Sequence, residues 1–152
     1  MVSGQIRQLP TGDTLDAAVS EVDVVSLANG TTSAIAICTP VYISSGGSVS
    51  PAQANASATQ GVIGLVKDPS IASSAQGNVQ TDGGFTATTS QWDTVTGQTG
   101  GLTPGAVYFL SAASPGKLTA TAPTADGQYV VPVGKAFSST LLDVSIGTSV
   151  LL

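Results

Sequence analysis

The chain has 152 residues, a net charge of −5, only 9% charged residues, no His and a single Cys. That inventory removes the Ser-His-Asp triad, the imidazole general base, the His-bearing metal site and the intrachain disulfide. The four cations, Arg7, Lys67, Lys117 and Lys135, are too few to neutralise a phosphate backbone, and the net charge repels one. No nucleic-acid partner is therefore expected. No membrane partner is expected either, because no apolar run approaches the ~20 residues that cross a bilayer.

A chain of this size suits one domain that buries roughly two-thirds of its unfolded surface. The first residues lack the basic-then-apolar layout of a signal peptide, so synthesis in a cytoplasm is expected. Ser, Thr, Ala, Gly and Val dominate. Thr and Val suit pleated strands and Gly supplies turns. Low charge also suits a surface that becomes covered in an assembly, where unpaired charges are costly to desolvate.

In chain order, residues 1–20 read as an extended arm. Gln5-Ile6-Arg7-Gln8-Leu9-Pro10-Thr11-Gly12-Asp13 carries two spaced apolar residues and a turn, too little to close a core. Val22-Asp23-Val24 alternates as a strand does, and Asn29-Gly30 signals a turn. Short strands follow at 34–38, 40–44 and 48–50, with Gly46-Gly47 as a turn and 51–60 as a loop or one weak helical turn. Residues 61–66 form an almost wholly apolar strand, as expected when both faces are buried. A strand at 77–81 ends in a turn at Asp82-Gly83-Gly84. Thr88 to Gly97 offers a hydroxyl cap, a terminal Gly and Trp92 and Val95 three residues apart, which predicts one short helix whose Trp plugs the sheet. Strands resume at 106–112, 117–122, 128–133, 136–138 and 141–146. Val150, Leu151 and Leu152 make an apolar tail that should pack on something.

The two halves repeat each other. Thr39-Pro40-Val41-Tyr42 matches Thr103-Pro104-Gly105-Ala106-Val107-Tyr108 with two residues inserted. Gly61-Val62-Ile63-Gly64-Leu65-Val66-Lys67 runs against Tyr129-Val130-Val131-Pro132-Val133-Gly134-Lys135, and Asn78-Val79-Gln80-Thr81-Asp82-Gly83 falls opposite Asp143-Val144-Ser145-Ile146-Gly147. The expected fold is all-β: a small antiparallel sandwich or barrel-like domain with an internally duplicated unit, one short helix around Trp92 and an extended N-terminal arm. Residues 1–30 form the arm and first strand and 31–152 the β domain, with repeat halves at about 34–84 and 103–147.

Chemistry is thinly represented. Asp68 precedes Pro, while Asp82 and Asp126 precede Gly, and these are turn positions rather than a catalytic pair. Asp13, Asp16, Glu21 and Asp23 read as a solvated acidic edge, and no calcium-loop spacing occurs. Cys38 lies in an apolar segment and reads as a small buried hydrophobe. Gly97-Gln98-Thr99-Gly100-Gly101 lacks the Lys and helix of a phosphate cradle. Trp92, Tyr42, Tyr108 and Tyr129 could stack on sugars, but their strand and helix settings favour packing. No catalytic residue, cofactor or metal is expected. Ile6, Leu9, Pro10, Val150, Leu151 and Leu152 are the candidate interface residues.

From Thr39 to Leu152, about three-quarters of the chain, the sequence resembles bacteriophage capsid cement or head decoration proteins. The resemblance is carried by Tyr42 before a Gly turn, Gly61-Val62-Ile63, Gly77-Asn78-Val79-Gln80-Thr81-Asp82-Gly83, Thr88-Thr89-Ser90-Gln91-Trp92-Asp93 and Leu102-Thr103-Pro104-Gly105-Ala106-Val107-Tyr108. The stretch from Gly134-Lys135-Ala136 to Ile146-Gly147 adds to it. It implies a small oligomeric β domain on the outer capsid surface of a virion, bridging neighbouring major capsid proteins. A homotrimer is favoured, a dimer is compatible, and the family has no catalytic residues to carry over. Gln5 to Asp13 looks like the linker of tail or fibre proteins. The alternative is therefore a tail, fibre or baseplate component whose Tyr and Trp residues touch host-surface glycans.

Overall fold

The computed structural model describes residues 22–152; the arm assigned to residues 1–20 lies outside them. The elements are β1 (Asp23–Ala28), β2 (Ile35–Ala36), β3 (Pro40–Ile43), a 3-10 turn (Ser45–Gly47), β4 (Val49–Pro51), β5 (Val62–Val66), β6 (Ser70–Ile71), β7 (Gln76–Thr86), α1 (Thr89–Thr96), β8 (Val107–Leu110), β9 (Leu118–Thr119), β10 (Tyr129–Val130), β11 (Pro132–Ala136), β12 (Leu141–Val144) and β13 (Val150–Leu151). Nine of the strands form one antiparallel sheet that curls into a half-barrel. Two-stranded pairs β2–β6 and β10–β13 flank it.

The main sheet reads β4-β3-β5-β7-β12-β11-β8-β9, with β1 paired to β7. This order is the same from either end in the sense that matters for a duplication. A hairpin (β3–β4, β8–β9) is followed by a strand on its other side (β5, β11) and then by the strand that meets the other half (β7, β12). Both halves also share a bulge at the same joint, between Val41 and Tyr42 in β3–β5 and between Pro132 and Gly134 in β8–β11. Each bulged pair needs a glycine against the next backbone. A Cβ on Gly64 would overlap the Gln80 carbonyl oxygen, and one on Gly134 would overlap that of Asp143. Tyr42 and Tyr108, matched from sequence, both pack on the larger core. Lys67 and Lys135 do not correspond: Lys67 lies 4.7 Å over the Phe85 ring, while Lys135 is exposed within β11.

β7 is the strand that sequence reading truncates. The turn expected at Asp82-Gly83-Gly84 is a bend within one eleven-residue strand. Gly83 takes φ +90°, a conformation open to glycine at little cost. Gly83 and Gly84 still pair with Val144 and Asp143. The carboxamide of buried Gln80 supports the bend, its Nε2 donating to the carbonyls of Asp82, Gly83 and Gly84 at 3.0–3.1 Å. Other strands shorten for local reasons. Residues 34–38 keep only β2, since Cys38 turns to φ +72° and donates its N–H to Val66. Residues 117–122 keep only β9, because Thr119 Oγ1 accepts from the Thr121 N–H and closes a turn. Residues 128–133 divide into β10 and the start of β11, and 136–138 end β11 in a turn where Phe137 N–H meets the Leu141 carbonyl.

Helix α1 forms where its caps predict. Thr88 accepts from Gln91 N–H while the Gln91 side chain accepts from Thr88 N–H, and Gly97 closes the other end in the left-handed region. Its Trp92 and Val95 are buried in a core shared by both halves, with Leu65, Phe85, Tyr108 and Leu142. Trp92 meets Phe85 edge-on at 5.5 Å and donates Nε1–H to Thr140 at 3.0 Å.

A smaller cluster, Ile35, Val41, Val49, Val66, Ile71 and Val79, lies on the opposite face of the first half. Successive strand residues point to opposite faces, so Leu65 enters one cluster and Val66 the other. The long-range β2–β6 pair caps that second face through Ile35 and Ile71. The second half has no counterpart: residues 137–140 join β11 to β12 directly, and the face bearing Val107, Lys135 and Asp143 is open.

Gly64→Ala and Gly134→Ala should each destabilise the fold by about 1–3 kcal/mol, because the added methyl displaces a hydrogen-bonded backbone. Urea unfolding measures this, and unchanged midpoints in both variants would refute the close approach.

Candidate functional site

Two of the carboxylates that could carry chemistry, Asp93 and Asp68, are engaged in local structure. Asp93 accepts from the N–H groups of Gly100 (3.0 Å) and Gly101 (2.7 Å), which ties the loop after α1 to the helix. Asp68 accepts from the backbone N–H and side chain of Asn78. Asp82 stands opposite Asp23 across β1–β7, Asp143 opposite Lys135 across β11–β12, and Asp126 is exposed before Gly127. Among the described residues no three His, Cys, Asp or Glu side chains gather as a metal site would require. No described helix is long and apolar enough to cross a membrane.

The aromatic residues are placed by packing. Trp92 and Tyr108 are fully buried, so neither can offer a ring face to a sugar. The Tyr108 hydroxyl donates to Gln98 Oε1 and accepts from Thr103 N–H at 2.9 Å, which anchors the 98–103 loop. Tyr42 and Tyr129 are half-buried against the same core. The concavities are open grooves. One of about 360 Å³ lies between the end of α1 and β9, where Lys117 Nζ donates to the Thr94 carbonyl at 2.7 Å. Another of about 370 Å³ is lined by small and hydroxyl side chains, Thr119 and Thr121 among them, together with Gln128.

Exposed apolar side chains are the more distinctive feature; besides Ile43 at the end of β3, they fall in three places. Val22, just before β1, and Val24 and Val25 within it stand out, and among the described residues the strand pairs with β7 alone. Val150, Leu151 and Leu152 stand out along β13, with Leu151 58% exposed although the strand is hydrogen-bonded to β10. Val107 and Phe137, the latter 61% exposed, mark the open face of the second half. Free strand edges carrying apolar side chains are templates for another chain. Of the six interface candidates read from sequence, Val150, Leu151 and Leu152 are thus at the surface within the described residues. Ile6, Leu9 and Pro10 lie outside them.

Sequence reading missed Val24, Val25, Val107 and Phe137 as surface residues. The signal was available in the repeat itself. Nine residues separate β5 from β7 and carry β6, whereas four separate β11 from β12, so only the first half has chain to spare for a cover. No protein-family model, curated protein or solved structure matches the chain.

Cys38 is wholly buried, and desolvation pushes its thiol up from 9.0 to about 12, with Lys67 pulling weakly the other way. The unfolded thiol ionises first, so this group's contribution to stability is complete below pH 9 and is lost as pH rises towards about 12. Alkaline titration of the urea midpoint should show a steeper fall in the native protein than in Cys38→Ala. A thiol reagent at pH 8 should label Cys38 only in denaturant. Labelling of the folded protein, or identical alkaline falls, would contradict its burial.

Proposed function

We propose that the protein is a viral structural component of the capsid cement or decoration type, attached to the outer surface of a phage head and bridging neighbouring major capsid proteins. The observation that carries this reading is the placement of exposed apolar residues on β1 and β13, at both ends of the described chain, outside a core that is complete without them. A bridging protein needs a rigid body with adhesive edges. Each edge contact can be weak, because two contacts on one shell raise each other's effective concentration. Apolar side chains on a sheet edge supply such contacts by adding strand to strand and burying area on the neighbour. Low charge supports the same use, since few ions must be desolvated when the surface is covered. The polypeptide acts by attachment; no catalytic step is assigned to it.

Added to heads that lack it, the purified protein should bind in many copies per particle, rather than the handful expected of a tail component. Leu151→Asp should lower occupancy about tenfold or more while leaving the urea midpoint close to that of the parent. Removal of residues 1–20 should weaken attachment as well. Absence from assembled shells, or full occupancy by both variants, would overturn the reading.

A further inference from the structure

The open face of the second half has a self-complementary pattern. One row of directly opposed residues crosses four strands: Val107 on β8, Lys135 on β11, Asp143 on β12 and Gly84 on β7. The two charges sit at the centre, and beside them a groove of about 300 Å³ runs past Pro132 and Ser145. At the ends of the row, Val107 projects from the sheet, 40% exposed, while Gly84 has no side chain. Phe137 adds the most exposed large apolar side chain in the described chain just beyond β11. In the first half Ile35 of β2 and Ile71 of β6 cover the corresponding face over Val41, while Ile43 at the end of β3 stays 45% exposed.

We infer that this face is covered by the same face of a second copy, about a twofold axis running along the strands between β11 and β12. That axis exchanges β11 with β12 and β8 with β7. It sets Lys135 on the second copy's Asp143, and Asp143 on its Lys135, so both charges are paired as they lose water. It also sets Val107 over the second copy's Gly84, a knob on a hollow. Only an isologous contact makes one patch fit itself in this way. Two sheets packed face to face with strands nearly aligned form an ordinary sandwich interface. The face spans about 20 by 16 Å, from strand spacings of ~4.8 Å and rises of ~3.3 Å per residue. That is small for an interface, and a dissociation constant on the order of 10–100 μM is expected. The inferred pair is a dimer, in place of the trimer that the family resemblance favours. It uses a surface separate from β1 and β13, so it stands or falls independently of attachment to a shell.

The test is sedimentation equilibrium of the full chain over micromolar to millimolar concentrations. The parent should dimerise. Lys135→Glu and Asp143→Lys should each weaken self-association about tenfold or more. An equimolar mixture of the two should recover the parent's affinity, because the heterodimer pairs Glu with Lys on one side and Asp with Lys on the other. Gly84→Val should also weaken pairing by filling the hollow. Its new Cβ meets only Leu141 Cδ1 at 3.4 Å within its own chain, so the fold should be kept. Urea midpoints near that of the parent separate these effects from misfolding. A monomeric parent at millimolar concentration would overturn the inference. So would association that the variants leave unchanged, or a mixture that associates no better than its components.

Discussion

The arrangement depends on one strand being hydrogen-bonded to both halves of the molecule. The first part of β7 pairs with β1 and β5, and its last four residues pair with β12. The strand must bend to serve both, and a bend strands carbonyl groups that the ladder would otherwise satisfy. Gln80 resolves this with a buried carboxamide that donates to three of them, leaving its own Oε1 without a partner. With the seam held, Phe85 on β7 and Leu142 on β12 come side by side, and Trp92 on the helix that follows fills the space over Phe85. Both halves thus contribute to one core.

Much of this was legible in the sequence where the signal is local. The cap pair Thr88 and Gln91, the closing Gly97 and the spacing of Trp92 and Val95 specify α1, and no distant contact opposes them. The apolar run of β5 is likewise unambiguous, since both of its faces are buried. The duplication was visible as strand order, but residue pairings slipped because bulges at Val41/Tyr42 and Pro132/Gly134 shift the register within each half. The reading failed at Asp82-Gly83-Gly84. A Gly-Gly pair after Asp is ordinarily a reversal, and only pairing with β12, far along the chain, makes it a bend within a strand. Cys38 was read correctly as buried but wrongly as extended, because its conformation follows from hydrogen bonding to Val66 and not from its neighbours in sequence.

The surfaces were less legible than the core for a related reason. Alternation identifies which residues of a strand share a face, but it does not say whether that face will be covered. Val41 and Val107 both lie in strands of the same type, yet one is sealed under β2–β6 and the other faces solvent. The difference is set by β2 and by the longer β5–β7 connection that carries β6, neither of which the second half repeats. The residues Val150, Leu151 and Leu152 are exposed although their backbone is hydrogen-bonded to β10 and its flanks. The result is a body whose apolar interior is closed and whose rims are not. Attachment that leaves the fold intact requires this division.

The shared strand also imposes an order on folding as the chain leaves the ribosome. The helix needs only its own neighbours, and the β3–β4 hairpin closes over a few residues, so both can form early. The end of β7 has no such option: Gly83 to Thr86 stay unpaired until residues 141–144 have been made. Until then the nascent chain presents an open edge with Phe85 beside it, and synthesis at high copy number would place many such edges in proximity. Selection for rapid translation of the stretch between α1 and β12 would shorten that exposure, independently of any demand from the mature protein.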